Sequence, residues 1–356
     1  MSNHHDPSHP SESPKAQGYS MPPEWAPHVG TWLTWPWEGG DSFPNRGPQV
    51  AETYRQLVVQ LASVEQVFIN IWNEEMTAEA QHYLQLSEEL SKRVSFHQHP
   101  AYEPWCRDHG PIFLTREIAP KKAVVDWGYN AWGGKYPPFD LDNAVPGHIA
   151  SLRNIKRFEP QMVLEGGSVE VNGAGLLMTT ESCLLNPNRN PNLSKKEIES
   201  RLRSYLGVDE ILWLGDGIVG DDTDGHIDDM TRFVNETTIV TAMESDPADA
   251  NFKPLQENRQ RLEAFNSRQE TPFRIVDLPM PRPVIQEGLR LPASYANFYI
   301  ANQIVIVPTF NDPNDSVALE ILQSVMPQRR VIGIDSTTLI WGLGSFHCIT
   351  QQEPLA

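Results

Sequence analysis

One cysteine, one histidine and a set of carboxylates carry the chemistry this chain could do. Cys348 follows a flexible run, Gly342-Leu343-Gly344-Ser345-Phe346-His347, where glycine opens turn conformations closed to other residues. His226 lies among acids, in Asp221-Asp222-Thr223-Asp224-Gly225-His226-Ile227-Asp228-Asp229. A thiolate is a useful nucleophile when a cationic neighbour lowers its pKa and a base handles the protons. Cys348 and His226 are therefore expected to meet in one pocket ringed by carboxylates, which would suit a cationic substrate. The bland alternative for Cys348 is a buried structural thiol, a common fate of cysteine. The polar residues after it, Thr350-Gln351-Gln352, favour an accessible one.

The acidic segment has two competing readings. A calcium loop of the EF-hand type should end in a glutamate at position 232 or 233, where this chain has Arg232 and Phe233. A transition-metal site would need further His or Cys at ligand spacing, and none supports it. On a strand, His226 and Asp228 would point to the same face. Asp108, in Arg107-Asp108-His109-Gly110, and Glu165, in Glu165-Gly166-Gly167, each stand beside glycine, a mark of turns or of close backbone approach. Trp105, Trp127 and Trp132 read either as core or as flat walls of a site.

Strands and helices must alternate to position these groups. Pro48 opens a helix with the apolar face Val50, Tyr54, Leu57, Val58 and Leu61. A strand over 67–72, a polar helix over 74–91 and a strand over 93–97 are expected next, then a proline-bounded loop over 104–111. Strands are read at 30–36, 112–115, 123–127, 162–171, 176–179, 210–214, 238–243, 274–278, 304–308 and 331–334. Further helices are read at 143–155, 254–265 and 315–325. Ser194 and Glu197 form a capping box for another, whose face is Ile198, Leu202, Tyr205 and Leu206 and whose end is Gly207. The class is α/β or α+β. The motifs recur at similar intervals, 57 residues from Asp108 to Glu165 and 61 from Glu165 to His226. The 122 residues left before Cys348 leave room for two more units of a radial array.

Composition narrows the partners. A formal net charge of -18 argues against nucleic acid and anionic membranes and favours a cationic ligand. Three cysteines do not make a secreted disulfide framework, and no apolar run is long enough to span a bilayer. Residues 1–20, rich in His, Ser and Pro, read as a disordered lead-in without a signal-peptide core. The expectation is a cytoplasmic protein with one catalytic domain over 21–356.

Several ordered blocks then acquire a common meaning. They are Trp105-Cys106-Arg107-Asp108-His109-Gly110-Pro111, Asn130-Ala131-Trp132-Gly133-Gly134, Leu164-Glu165-Gly166-Gly167-Ser168, Asn186-Pro187-Asn188-Arg189-Asn190-Pro191, Thr223-Asp224-Gly225-His226-Ile227-Asp228, Leu291-Pro292-Ala293-Ser294-Tyr295, Asn311-Asp312-Pro313-Asn314-Asp315 and His347-Cys348-Ile349-Thr350-Gln351-Gln352. Together they resemble the agmatine deiminase family of guanidino-group-modifying enzymes, related to peptidylarginine and arginine deiminases. The resemblance implies a five-bladed α/β propeller of ββαβ units with pseudo-fivefold symmetry. It implies hydrolysis of agmatine to N-carbamoylputrescine and ammonia, a step toward putrescine, through a covalent amidino-cysteine. By the same resemblance Cys348 is the nucleophile and His226 the general acid/base. Asp108 and Asp228 bind the guanidinium, Glu165 binds substrate and orients the histidine, and Trp105 lines the site. No metal or organic cofactor is implied, and a homodimer is among the assemblies open to it. The chain departs from the family at Gly342-Leu343-Gly344-Ser345-Phe346, where Gly-Gly-Gly-Asn-Ile is usual. Free or peptidyl arginine is the alternative substrate, amidino transfer the alternative reaction, and a non-catalytic binder of cationic amines the alternative class.

Overall fold

Apolar runs such as Ile304–Thr309 and Thr238–Met243, buried along nearly their whole length, belong to strands covered on both faces. Each is the middle strand of a short sheet in a computed structural model that describes residues 12–37 and 39–356. Five times the same pattern appears. A first strand pairs antiparallel with a second, a helix follows, and a third strand lies parallel to the second. The sets run Ile112–Thr115, Lys122–Val125, Lys156–Phe158; Glu170–Val171, Leu176–Thr180, Glu210–Leu214; Thr231–Asn235, Thr238–Met243, Arg274–Pro279; and Tyr299–Ile300, Ile304–Thr309, Arg330–Asp335. The fifth joins the chain ends. C-terminal Gln351–Pro354 pairs antiparallel with His28–Thr34, and Gln66–Ile71 and Val94–Gln98 follow in parallel. The five sheets are separate ladders in a mixed α/β fold.

The helices form where their apolar spacing meets a cap. Gly47–Val64 buries Val50, Tyr54, Leu57, Val58 and Leu61 against strand residues Leu33 and Ile69. Lys195–Leu206 begins at Ser194, whose hydroxyl accepts from the Glu197 N–H in a complete capping box, and stops at left-handed Gly207; such a cap contributes about 1 kcal/mol. The polar helix expected over 74–91 is broken. Glu74–Leu84 ends at left-handed Gln85, and Ser87 caps a separate turn, Glu88–Ser91. A serine that can bond a free N–H starts a new helix more readily than it continues one.

Three expectations near the chemistry need correction. The loop at 104–111 contains one α-turn, Cys106–His109. The strand over 162–171 shrinks to Glu170–Val171 because Gly166–Ser168 coils into a 3-10 turn; a Cβ on Gly166 would lie 2.2 Å from the Arg107 carbonyl oxygen, so that crossing excludes any side chain. His226 and Asp228 are not on a strand. Ile227–Asp229 is a 3-10 turn, bent there because the Asp221 carboxylate accepts from the N–H groups of Thr223 and His226 at 2.8 and 3.0 Å.

Part of the stretch read as a lead-in is ordered against the rest of the chain. Residues 1–11 lie outside the described residues, and Lys15–Gln17 forms a 3-10 turn. Tyr19 is buried against Phe158, its hydroxyl donates to the Pro120 carbonyl at 2.6 Å, and Ser20 bridges to Thr115. No described helix is long and apolar enough to cross a membrane.

Candidate active site

The residues singled out from sequence occupy one position in the repeating pattern, the segment just ahead of each unit's first strand. Asp108 precedes Ile112–Thr115, Glu165 precedes Glu170–Val171, His226 and Asp228 precede Thr231–Asn235, and Cys348 precedes Gln351–Pro354. Ahead of Tyr299–Ile300 stands Asn297. These side chains converge although up to 240 residues separate them in sequence.

Gly167 marks the convergence point. A Cβ built there would meet His226 Nδ1 at 2.7 Å, Asp108 Oδ1 at 2.8 Å and Asp228 Oδ2 at 2.9 Å. The His226 Nδ1 faces Asp108 Oδ1 at 3.7 Å and Asp228 Oδ1 at 4.0 Å, while Nε2 faces Glu165 Oε2 at 4.0 Å. Both ring nitrogens, Glu165 Oε2 and Asp228 Oδ1 are buried with no hydrogen-bond partner. Buried polar groups are normally paired, so four open valences around one imidazole mark a place shaped for a ligand.

Cys348 stands on the far side of Asp228. Its Sγ lies 3.8 Å from Asp228 Oδ2 and 3.0 Å from Asn297 Nδ2. The thiol is 5% exposed, less accessible than its polar surroundings in sequence suggested. It lines a cleft of 280 Å³ together with Asp108, Trp105, Trp132, Leu291, Leu343 and the acids Asp41, Glu103 and Asp222. The lining contains no lysine or arginine among the described residues. Arg290, near the mouth in sequence, is engaged by both oxygens of Asp249 at 2.8 and 2.9 Å. Trp127 is core, packed with Tyr19 and Leu164 rather than facing the cleft.

The carboxylates are held differently. Asp108 accepts from the Trp132 indole N–H and the Gly167 N–H, both at 3.0 Å. Burial pushes its carboxyl up to about 6, with Asp228 and Glu165 adding to the rise against the pull of His226. Asp228 goes the other way. Burial would raise it, but the hydrogen bond and charge of His347, then of His226, hold it below the usual carboxylate range. Glu165 is anchored by Arg189 Nε at 2.6 Å. Burial pulls His226 down, but Asp108, Cys183 and Asp228 lift it well above its ordinary value, which keeps a proton on it. Burial, then Asp228, Asp229 and Asp108, push the Cys348 thiol well above its own. Asp228 thus has the thiol near one oxygen and the imidazole near the other.

Sequence reasoning missed the layer beneath. His347 Nδ1 is 2.6 Å from Asp228 Oδ2, and its Nε2 is 2.7 Å from Glu24 Oε2. Glu24 also accepts from Arg107 at 3.2 Å and Arg232 at 3.0 Å. The adjacency of His347 to Cys348 was the one available signal; nothing in the sequence singled out Glu24 or Asn297. Among the described residues, two sets each have ligating atoms within 4.8 Å of one another, Glu165, Cys183, His226 and Asp228, Asp229, Cys348. Each set includes a carboxylate oxygen without a donor, Glu165 Oε2 and Asp228 Oδ1, and a guanidinium can supply donors there. The acids of the supposed calcium loop are spent internally: Asp222 on Lys135, and Asp224 on Lys135 and Arg189.

The chain as a whole is similar to known proteins. A model of the Porphyromonas-type peptidyl-arginine deiminase family matches residues 20–354. Agmatine deiminase from Pseudomonas aeruginosa (strain UCBPP-PA14) is 36% identical over 371 aligned positions, covering 98% of each chain. That of Ectopseudomonas mendocina is 34% identical, with 96% of this chain and 97% of the relative covered. Among solved structures, agmatine deiminase of Enterococcus faecalis superposes with a TM-score of 0.88 at 32% identity, over 96% and 97% of the two chains. A cysteine-to-serine variant of C. jejuni agmatine deiminase with substrate bound gives 0.84 at 30% identity, over 94% and 96%.

Proposed function

The chain belongs to the Porphyromonas-type peptidyl-arginine deiminase family, and from that premise we propose that it is an agmatine deiminase, a hydrolase of linear amidines that converts agmatine to N-carbamoylputrescine and ammonia. The observation that carries the substrate is the cleft lining. It offers Asp41 and Glu103 toward a cationic tail, with Asp222 already paired to Lys135, and no described basic residue for an α-carboxylate. Agmatine has the first and lacks the second.

Asp108 and Asp228 take the guanidinium N–H groups, since two carboxylates can each accept a pair in fork geometry, and hold the central carbon against the sulfur. The open oxygens of Asp228 and Glu165 acquire donors at that moment. The bound cation replaces the positive charge that the thiol proton supplied, so Cys348 releases that proton to solvent and stands ionised beside it. Sγ attacks the guanidino carbon, and a tetrahedral adduct forms. His226, already protonated, gives its proton to the departing nitrogen, ammonia leaves, and an amidino-thioether remains. His226 then takes a proton from water. The resulting hydroxide attacks the same carbon, the C–S bond of the adduct breaks as its hydroxyl proton passes to solvent, and the neutral ureido product departs with the thiolate restored. Glu165 holds the ring for both transfers.

The same reading arranges the five ββαβ units radially as a propeller around this point, each delivering its residue from the segment before its first strand. It also places the reaction in the cytoplasm, where three free thiols stay reduced, on a route to putrescine. The test is ammonia release from agmatine, free arginine and an arginyl peptide by the wild type and by Cys348→Ala. Wild-type turnover of agmatine alone, lost in the variant while agmatine binding persists, is the expected result. Preference for arginine or the peptide overturns the substrate, and turnover by Cys348→Ala overturns the nucleophile.

A further inference from the structure

Four of the five repeating units put a residue with a proposed role ahead of their first strand; the unit that begins at Tyr299–Ile300 puts Asn297 there. Asn297 is 1% exposed, and the four hydrogen bonds of its side chain all bear on the nucleophile's surroundings. Oδ1 accepts from the His347 N–H at 3.0 Å and the Cys348 N–H at 3.4 Å. Nδ2 donates to Asp229 Oδ1 at 2.9 Å and to Cys348 Sγ at 3.0 Å.

The two backbone contacts settle which way the amide points. A backbone N–H can only donate, so the atom facing residues 347 and 348 must be the carbonyl oxygen. The NH2 group is thereby turned toward the sulfur and the Asp229 carboxylate, one hydrogen for each. No rotation of the amide satisfies this set in reverse.

We infer that Asn297 is a catalytic residue, the hydrogen-bond donor that holds the Cys348 sulfur as a thiolate during turnover. This rests on the reading of Cys348 as nucleophile. Among the described residues, the sulfur's other side-chain neighbour at hydrogen-bonding range is Asp228, an acceptor. The His226 nitrogens make no hydrogen bond to it, so no imidazole shares its charge before substrate arrives. The substrate cation supplies charge on one side and Asn297 supplies a fixed donor on the other. The donor matters twice, when the thiolate attacks and when it is expelled from the second tetrahedral adduct. A preorganised N–H aimed at a developing anion in a buried site needs no rearrangement at either moment.

The experiment follows alkylation of Cys348 by a haloacetamidine across pH 6–9, with mass spectrometry locating the label, in wild type, Asn297→Ala and Asn297→Asp. Cys106 and Cys183 are fully buried and serve as internal controls. In Asn297→Ala the alkylation rate at fixed pH should fall at least about tenfold, the scale of one lost hydrogen bond to a charged group, and kcat for agmatine should fall at least as far. Asn297→Asp keeps the acceptor for both backbone N–H groups, so it preserves the loop if the alanine variant does not fold. Once ionised it sets another negative charge against the sulfur, and alkylation at pH 8 should be slower than in wild type by at least the same factor. Agmatine affinity in the Cys348→Ala background should change less than about threefold on adding Asn297→Ala, because the pocket itself is intact. An unchanged alkylation profile in both variants overturns the inference, as does an affinity loss matching the loss in kcat, which would make Asn297 a shaper of the pocket. Should wild type release no ammonia from agmatine while the variants still slow alkylation, the substrate reading fails and the role at the sulfur stands.

Discussion

His347 is clamped between two carboxylates, 2.6 Å from Asp228 on one ring nitrogen and 2.7 Å from Glu24 on the other. The consequence falls on Asp228, which stays ionised inside the protein because that imidazole bonds to it, while Asp108 across the pocket faces an imidazole, that of His226, only at 3.7 Å. Two aspartates in one pocket are therefore shifted in opposite directions.

Replacing His347 should disarm Asp228 and strand Glu24. His347→Phe leaves buried charge uncompensated, a change that typically costs about 3–5 kcal/mol. His347→Gln keeps a donor for one partner and should cost less. Calorimetry of agmatine binding in the Cys348→Ala background should show affinity falling at least about tenfold in His347→Gln. Undiminished affinity would separate His347 from substrate binding.

Asp108 sets an acid limb. Its carboxyl is pushed up to about 6 by burial, and a guanidinium binds its ionised form. Agmatine affinity in Cys348→Ala should therefore fall about tenfold per pH unit below 6 and level off above it, with Asp108→Asn removing the dependence on this group. Stability runs the opposite way. A carboxyl whose pKa rises on folding stabilises the protein below its unfolded value near 3.9 and loses that contribution as pH rises through about 6. Asp108→Asn should then raise the melting temperature of the empty protein at pH 7.5 and leave it unchanged near pH 3.5.

Trp132 tunes the same limb. Its indole N–H donates to Asp108 Oδ2 at 3.0 Å, and a donor to a carboxylate favours the ionised form. Trp132→Phe keeps the ring wall and removes the donor. The acid limb should move to higher pH by about half a unit to one unit, as expected for one hydrogen bond. A limb at its wild-type position would show that the bond does not act on Asp108.

Gly167 tests the convergence itself. A methyl there would stand 2.7–2.9 Å from His226, Asp108 and Asp228 at once, closer than carbon contacts allow. Gly167→Ala should lower kcat/KM for agmatine at least a hundredfold and cost about 1–3 kcal/mol of stability through overpacking. Activity near that of wild type would mean the three groups do not share this point.

The elements that read well from sequence were those with local causes. The helix opened by Pro48 needs only its apolar spacing, and the Ser194 helix only its capping box and Gly207; both formed as expected. The strands Glu210–Leu214 and Ile112–Thr115 were legible from alternation and length. Failure came where backbone met backbone. The Gly166 crossing under Arg107 and the Asp221 turn before His226 replaced expected strands with 3-10 turns, because their cause lies in contacts distant in sequence or in side-chain bonds that periodicity does not report.

By itself the sequence determined the reactive groups, the alternation of strands and helices, and a spacing of motifs that called for two further units before Cys348. Only the tertiary structure decided that Asn297 fills the fourth position, that His347 and Glu24 stand behind Asp228, and that the carboxyls of Asp108 and Asp228 are shifted in opposite directions. A residue's type is written locally, but its protonation and its partners depend on burial and on neighbours that the fold brings from hundreds of residues away.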